Sequence, residues 1–251
     1  MVQLNELVSY CDGLLDASRF NDYAPNGLQV EGRKEISKLV TGVTASQALI
    51  DAAIAAKADA LLVHHGFFWK GEPPVVTGMK RRRLGALIEN NISLIAYHLP
   101  LDAHPTLGNN AQLARVLGFN VLGRFGCGGD ELAMFGDLVE AMSVAEFNHH
   151  ISAALGRVPM HLAGSSEKIT RVGWCTGAAQ GYIKAVDGLN VQAFISGEVS
   201  EQTMHIARES GVHYFAAGHH ATERYGVQAL GAELSRKFGF DHEFIDIDNP
   251  V

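Results

Sequence analysis

The chain has 251 residues, 47% hydrophobic and 19% charged, which suits one large or two small domains and excludes a disordered protein. Its 27 acids against 20 Lys+Arg leave a net charge of −7, which argues against a general nucleic-acid-binding surface. Three cysteines, Cys11, Cys127 and Cys175, never spaced CxxC, argue against a disulfide framework or a thiolate zinc site, so the 12 histidines become the unusual feature.

Residues Met1 to Glu6 lack the basic and apolar regions of a signal peptide, and Ala52 to Val63 is too short and too interrupted to span a bilayer. Together with unpaired cysteines this leads to an expectation of a cytoplasmic protein. Leu4, Leu7, Val8, Cys11, Leu14 and Leu15 recur at helical spacing, so the chain opens with an amphipathic helix. Asp22-Tyr23-Ala24-Pro25-Asn26-Gly27 reads as a loop with a turn. The pattern then becomes α/β: strand Leu39 to Val43, helix Ser46 to Ala56, strand Ala60 to Val63 ending at His64-His65-Gly66. A helix Lys80 to Asn90, a strand Ile92 to Tyr97 ending at His98, and a helix Asn110 to Leu117 closed by Gly118 follow. Strands alternating with helices imply crossover units and mostly parallel sheets.

The second half repeats the first. Gln47 through His65 lies without gaps over Gln180 through Glu198, which sets His65 on Glu198. Leu87 to Ile92 lies over Ala207 to Val212 at a shorter spacing, and the difference falls on Gly66 to Gly78, read as a loop of the first half alone. After a one-residue slip His98-x-x-x-Asp102 falls on His219-x-x-x-Glu223, and Gly118-Phe119 on Gly239-Phe240. Any two βαβα units share some hydrophobic rhythm, but the matched Gly-Phe ends and His-x-x-x-acid spacings favour a duplication. The expected organisation is an α/β half over 1–119, a small α+β insert over 120–168 and a second α/β half over 169–251. The insert holds Gly126-Cys127-Gly128-Gly129, a short strand near Leu132 to Phe135 and a helix near Val144 to Leu155.

Three strand ends carry histidine. His64-His65 follows an apolar strand, where ligands of open α/β sheets gather. Adjacent strand residues point to opposite faces, so the pair acts together only where the strand breaks, as Gly66 permits. His98 with Asp102, and His219 with Glu223, share the spacing of residues on one face of a helical turn. Each pattern alone is common on solvated helices; three in one chain point to a metal. The candidate ligands are His64, His65, Asp102, His219 and Glu223, with His98 as a sixth. That exceeds one tetrahedral zinc and fits two divalent ions about 3.5–4 Å apart, bridged by a carboxylate. Zn, Fe, Mn, Co and Ni all suit such ligands.

The segments Asp22 to Val30, Val63-His64-His65-Gly66, His98-Leu99-Pro100-Leu101-Asp102 and Gly218-His219-His220-Ala221-Thr222-Glu223 resemble the NIF-three-like proteins, often labelled GTP cyclohydrolase I type 2 homologues. The likeness is to the compact, bacterial YbgI-like branch and covers essentially the whole chain. It implies duplicated α/β halves, a dinuclear centre held by His64, His65, Asp102 and His219 with Glu223 bridging, and a ring-shaped homohexamer. It also implies that His98 stands beside the metals, toward water or substrate.

Other features have weaker claims. Glu198 reads as a general base, a group behind a ligand, or an acid in the first turn of a helix. Met79-Lys80-Arg81-Arg82-Arg83 could attract a triphosphate or form a solvated helix face. Thr176 to Gly181 could hold an anion on its amides or be a tight turn. Phe67-Phe68-Trp69 could stack on a base, wall off the site or pack at an interface. His149-His150 reads as surface, and His104, His161, His205, His213 and His242 lack convergent partners.

Two functions compete. One is a metal-dependent hydrolase acting on a small molecule, with GTP or a related nucleotide implied by the resemblance and His98 or Glu198 moving the proton. The other is a metal carrier, sensor or scaffold without turnover. A ring acting on nucleic acid is disfavoured by the charge, and no membrane partner is expected.

Overall fold

The computed structural model describes residues 1–126 and 131–251. They fall into two compact units, one of residues 1–108 and 226–248, the other of residues 109–225 and 249–251.

In the first unit β1 (Val2–Gln3) leads into α1 (Leu4–Leu14), followed by β2 (Gly27–Val30), β3 (Glu35–Ile36) and β4 (Lys38–Thr44). Then come α2 (Gln47–Ala55), β5 (Ala60–His65), α3 (Gly78–Glu89), β6 (Ser93–Ala96) and the single turn α4 (Leu99–Ala103). Ser46 starts α2 by accepting the Leu49 amide on its hydroxyl, as an N-cap should. Strands β4, β5 and β6 are parallel, and β2 lies antiparallel on β6.

Alternate residues of these strands enter two different cores, because strand side chains point to opposite faces. Leu39, Ala60, Leu62 and Ile95 join Leu4, Leu7 and Cys11 of α1. Val40, Leu61, Val63 and Leu94 join Leu49 and Ile50 of α2 and Leu84 and Leu87 of α3. A sheet covered on both faces explains the continuous apolar run of β5, whose residues Ala60 to Val63 are all 0% exposed.

In the second unit α5 (Asn109–Leu117) is closed by Gly118 at φ +68, followed by β7 (Asn120–Phe125), β8 (Ala133–Ser143) and α6 (Val144–Leu155). The bounds of α6 match the expectation, with Ser143 and Glu146 forming a capping box. Next are β9 (Met160–Leu162), β10 (Lys168–Cys175), a 3₁₀ turn over Gln180–Ala185, β11 (Ala193–Ser196), α7 (Glu201–Ser210), β12 (His213–Ala216) and α8 (His219–Phe238). Strands β10, β11 and β12 are parallel; β9 lies antiparallel on β12, and β8 on β10. Finally β13 (Asp241–Phe244) pairs parallel with β4, in the first unit's sheet.

The fold is thus mixed α/β, with two α/β halves. Each has three parallel strands joined in succession and an antiparallel strand beside the third, and the first unit adds β13 parallel to β4. The units differ from the linear division of the sequence in two places. Segment 120–168 is no free-standing insert, since β7, β8 and β9 extend the second unit's sheet. Residues 226–248 return to the first unit, because Val227, Leu230 and Leu234 of α8 complete the core under α1. Of the glycine-rich stretch, residues 127–129 lie outside the described residues.

Candidate metal centre

In the first unit β5 carries both tandem histidines to its end. The His64 side chain is fully buried, and its Nδ1 lies 2.9 Å from the Tyr97 carbonyl. A carbonyl only accepts, so Nδ1 holds a proton, and Nε2 is the nitrogen left for a second proton or a cation. That Nε2 stands 3.5 Å from Asp102 Oδ1 on α4. A lone pair and a carboxylate oxygen at this range repel unless a proton or a cation lies between them.

His65 Nδ1 is 3.1 Å from Thr44 Oγ1, its ring 4.6 Å from that of His64 and 5.8 Å from that of His98. Each of His64, His65 and His98 offers a ring nitrogen, and the three lie within 4.8 Å of one another, close enough to share one ion. Gly66 makes room for the turn after the pair: a Cβ there would fall 2.1 Å from Gln29 Oε1 and 2.7 Å from Ala96 Cβ.

His98 is held from the loop Asp22 to Asn26. Its Nδ1 lies 2.8 Å from Asp22 Oδ1 and its amide donates to Asn26 Oδ1 at 2.8 Å. Asp22 Oδ2 accepts from the Leu99 amide at 2.9 Å and from Asn26 Nδ2 at 3.0 Å. Burial pushes the Asp22 carboxyl up, but its bonds to His98, the charge of that ring, and the Asn26 and Leu99 donors outweigh this and hold it at about 2. Sequence reasoning took this segment for a loop. Its signal was the pair of acid and amide side chains, but their target lies over seventy residues away.

Aromatic rings close over this cluster. Trp69 packs edge-on to His98 at 5.1 Å and lies 5.9 Å from His65, while Tyr23 is 5.2 Å from His98. Trp69 Nε1 donates to the Gly66 carbonyl at 3.2 Å. Of Phe67-Phe68-Trp69, Phe67 is buried and Phe68 is exposed. Lys80, from the basic run on α3, sits 4.9 Å over the Phe68 ring and reaches Glu72 at 3.3 Å.

In the second unit His219 opens α8, one turn before Glu223. His219 Nε2 is 3.0 Å from Glu223 Oε2, and its Nδ1 is 2.7 Å from Glu198 Oε1. Burial pushes His219 down, but Glu223 and then Glu198 outweigh it and hold the imidazole at about 9. Glu198 thus stands behind His219 and holds its ring by Nδ1. The Glu223 carboxylate is buried against Gly177, where a Cβ would fall 1.9 Å from Oε1 and 3.2 Å from His219 Nε2. The Gly177 amide donates to Thr222 Oγ1 at 3.1 Å and the Thr176 amide to Asn110 Oδ1 at 3.0 Å, so these two amides of the turn are engaged within the chain.

The first unit therefore brings together His64, His65, His98 and Asp102, and the second His219 and Glu223. Several of the remaining histidines have partners elsewhere: His150 the Leu117 carbonyl, His161 His213, His205 Glu201, and His242 Thr41. His149 is exposed, and His104 Nδ1 accepts the Leu107 amide at 3.0 Å.

A family model described as Duf34/NIF3 (NGG1p interacting factor 3) matches residues 2–250. A Pseudomonas aeruginosa protein named GTP cyclohydrolase 1 type 2 homolog is 56% identical over 251 residues, covering 100% of this chain and 99% of that protein. An Escherichia coli protein of the same name is 52% identical over 247 residues, 98% of each. Among solved structures, one titled protein ybgI, unknown function, matches with a TM-score of 0.96 at 50% identity, covering 100% of both chains. A Thermus thermophilus protein matches at 0.92 and 33% identity, again over 100% of both.

Proposed function

The chain belongs to the Duf34/NIF3 family, and from that premise we propose that it is a metal-dependent hydrolase with a dinuclear centre. In this reading His64, His65, Asp102, His219 and Glu223 hold two divalent ions, and a nucleotide is the substrate. The observation that carries it is His64, whose Nδ1 is engaged by the Tyr97 carbonyl while its Nε2 faces the Asp102 carboxylate at 3.5 Å, an arrangement that a cation between the two would satisfy. The donor set of imidazoles and carboxylates fits Zn, Fe, Mn, Co or Ni. His219, flanked by two carboxylates, fits as well, because a cation at Nε2 would replace the proton that the site otherwise retains.

When bound, two divalent ions would supply Lewis acidity and a water acidified toward neutrality. The chain's own groups do the rest. Asp22 holds His98 by Nδ1, which leaves Nε2 as the atom that takes or returns a proton. Glu198 fixes the ring of His219 in the same manner. Tyr23 and Trp69 keep water from two sides of His98.

The names of the relatives make GTP the first substrate to try. A ring-shaped homohexamer belongs to the same reading, with sedimentation as its test. No helix among the described residues is long and apolar enough to cross a membrane. Metal analysis of protein purified without added metal tests the ligands: Glu223→Ala should lose metal, and equal occupancy would sink the ligand set. A nucleotide screen with His98→Ala tests the activity. Turnover lost with metal retained supports catalysis; metal retained without turnover on any nucleotide supports a carrier, sensor or scaffold.

A further inference from the structure

We propose that Arg157 is an anion-binding residue that holds a phosphate-class group of the substrate beside the turn carrying His219. The choice of phosphate rests on the nucleotide-hydrolase reading above. Arg157 follows α6, where Gly156 in the left-handed region at φ +73 reverses the chain. Its guanidinium lies against Gly218, the residue before His219. A Cβ on Gly218 would fall 2.2 Å from Arg157 Nη1 and 2.7 Å from Cζ. Gly218 also stands at φ +101, a backbone conformation that favours glycine.

Arg157 itself is half-buried, and its buried Nε has no hydrogen-bond partner among the described residues. A charged donor left unmade in a buried place is costly unless a ligand fills it. Two arginines of the same unit, Arg224 and Arg171, are engaged within the chain. Arg224 Nη2 donates to the Leu155 carbonyl at 2.8 Å, and Arg171 grips Asp137 at 2.7 Å and 3.2 Å. Arg157 is built into the turn like a structural residue but without such an acceptor.

The ligand is read from chemistry. A guanidinium presents a planar fork of donors that matches phosphate oxygens. The neighbouring turn carries His219 with the carboxylates of Glu198 and Glu223, and an anionic substrate approaching them needs a fixed positive charge. Arg157 supplies it within one residue of that histidine.

The test is calorimetric titration of metal-loaded protein with GTP, guanosine and inorganic phosphate, comparing wild type with Arg157→Gln and Arg157→Lys. Metal content is measured on each sample. Loss of the fork should weaken GTP and phosphate at least about tenfold, with guanosine and metal content unchanged and the lysine variant intermediate. Equal affinities in wild type and Arg157→Gln overturn the proposal, as does a wild type that takes up neither GTP nor phosphate. Should Arg157→Gln fail to fold, the same comparison is read from Arg157→Lys. A wild type that holds no metal yet shows the Arg157 effect would sink the hydrolase reading and leave the anion site standing.

Discussion

The strand ends of the two units solve one problem with different residues. In each, the third parallel strand delivers a histidine with an acid four positions later, His98 with Asp102 and His219 with Glu223. In each, a second acid holds that histidine by Nδ1, at 2.8 Å from Asp22 and 2.7 Å from Glu198. The middle strands differ. β5 ends in His64-His65, whereas the aligned residues after β11 are Gly197-Glu198. The first unit thus spends this position on imidazoles and recruits its orienting acid from a distant loop. The second spends it on the orienting acid itself. A duplicated frame has kept the geometry of the histidine while exchanging which element supplies the support.

The largest effect expected from this comparison is at the residues beneath the candidate ligands, Gly177 and, at the aligned position, Thr44. Gly177→Ala would place a methyl on the Glu223 carboxylate and put alanine at φ +68. A cost of roughly 2–4 kcal/mol follows from strain plus overpacking, read by denaturant unfolding. Thr44→Ala removes the hydroxyl that is 3.1 Å from His65 Nδ1, worth about 1 kcal/mol. Equal costs would show that the two positions are not used differently.

The orienting acids come next. Asp22→Asn and Glu198→Gln keep the shape and remove the charge. Substitution of such partners typically lowers metal affinity or activity about 10–100-fold. The buried acid should matter more: the Asp22 side chain is 2% exposed and that of Glu198 34%. Competitive chelator titration of both variants reads this order, and a larger loss for Glu198→Gln would reverse the comparison.

Much of this was legible in the sequence because it is local. The ends of β5, β6 and β12 announced themselves as apolar runs stopping at histidine, and His-x-x-x-acid spacing is a property of one helical turn. The start of α6 was readable for the same reason, since Ser143 and Glu146 cap it within three residues. Asp22 was not readable, because nothing near it in sequence reveals that His98 is its partner. The edge strands were missed on different physical grounds. β7 is too exposed to show a clean alternation, β13 alternates over only four residues, and β8 was read only as the short strand near Leu132 to Phe135 although it runs Ala133–Ser143. The linear division missed α8 as well, because a helix that serves both units carries no mark at Tyr225 where they divide.

The smallest effect separates the two antiparallel edges, β2 and β9, and it is a matter of pH. The first is continuous with the loop whose Asp22 is held at about 2, below an ordinary 3.8. A carboxyl lowered on folding contributes stability above its unfolded value and loses it as pH falls through the folded one. The β2 edge should therefore lose this support only below pH 3.8, progressively down to about 2. At β9 the anchor is a pair of imidazoles. His213 Nε2 donates to the Ser166 carbonyl at 2.8 Å, so in the neutral ring Nδ1 accepts the Gly164 amide at 3.1 Å and His161 Nε2 at 3.0 Å. Burial, and then the charge of His213, lower the pKa of His161 from 6.5. The unfolded segment thus takes up its proton first, and this contribution, complete above pH 6.5, is lost as pH falls below it. Amide exchange at a series of pH values, corrected for intrinsic rates, should show β9 losing protection while β2 keeps it. Loss at both edges together, or at β2 first, would mean that the imidazole pair does not anchor its edge as Asp22 anchors the other.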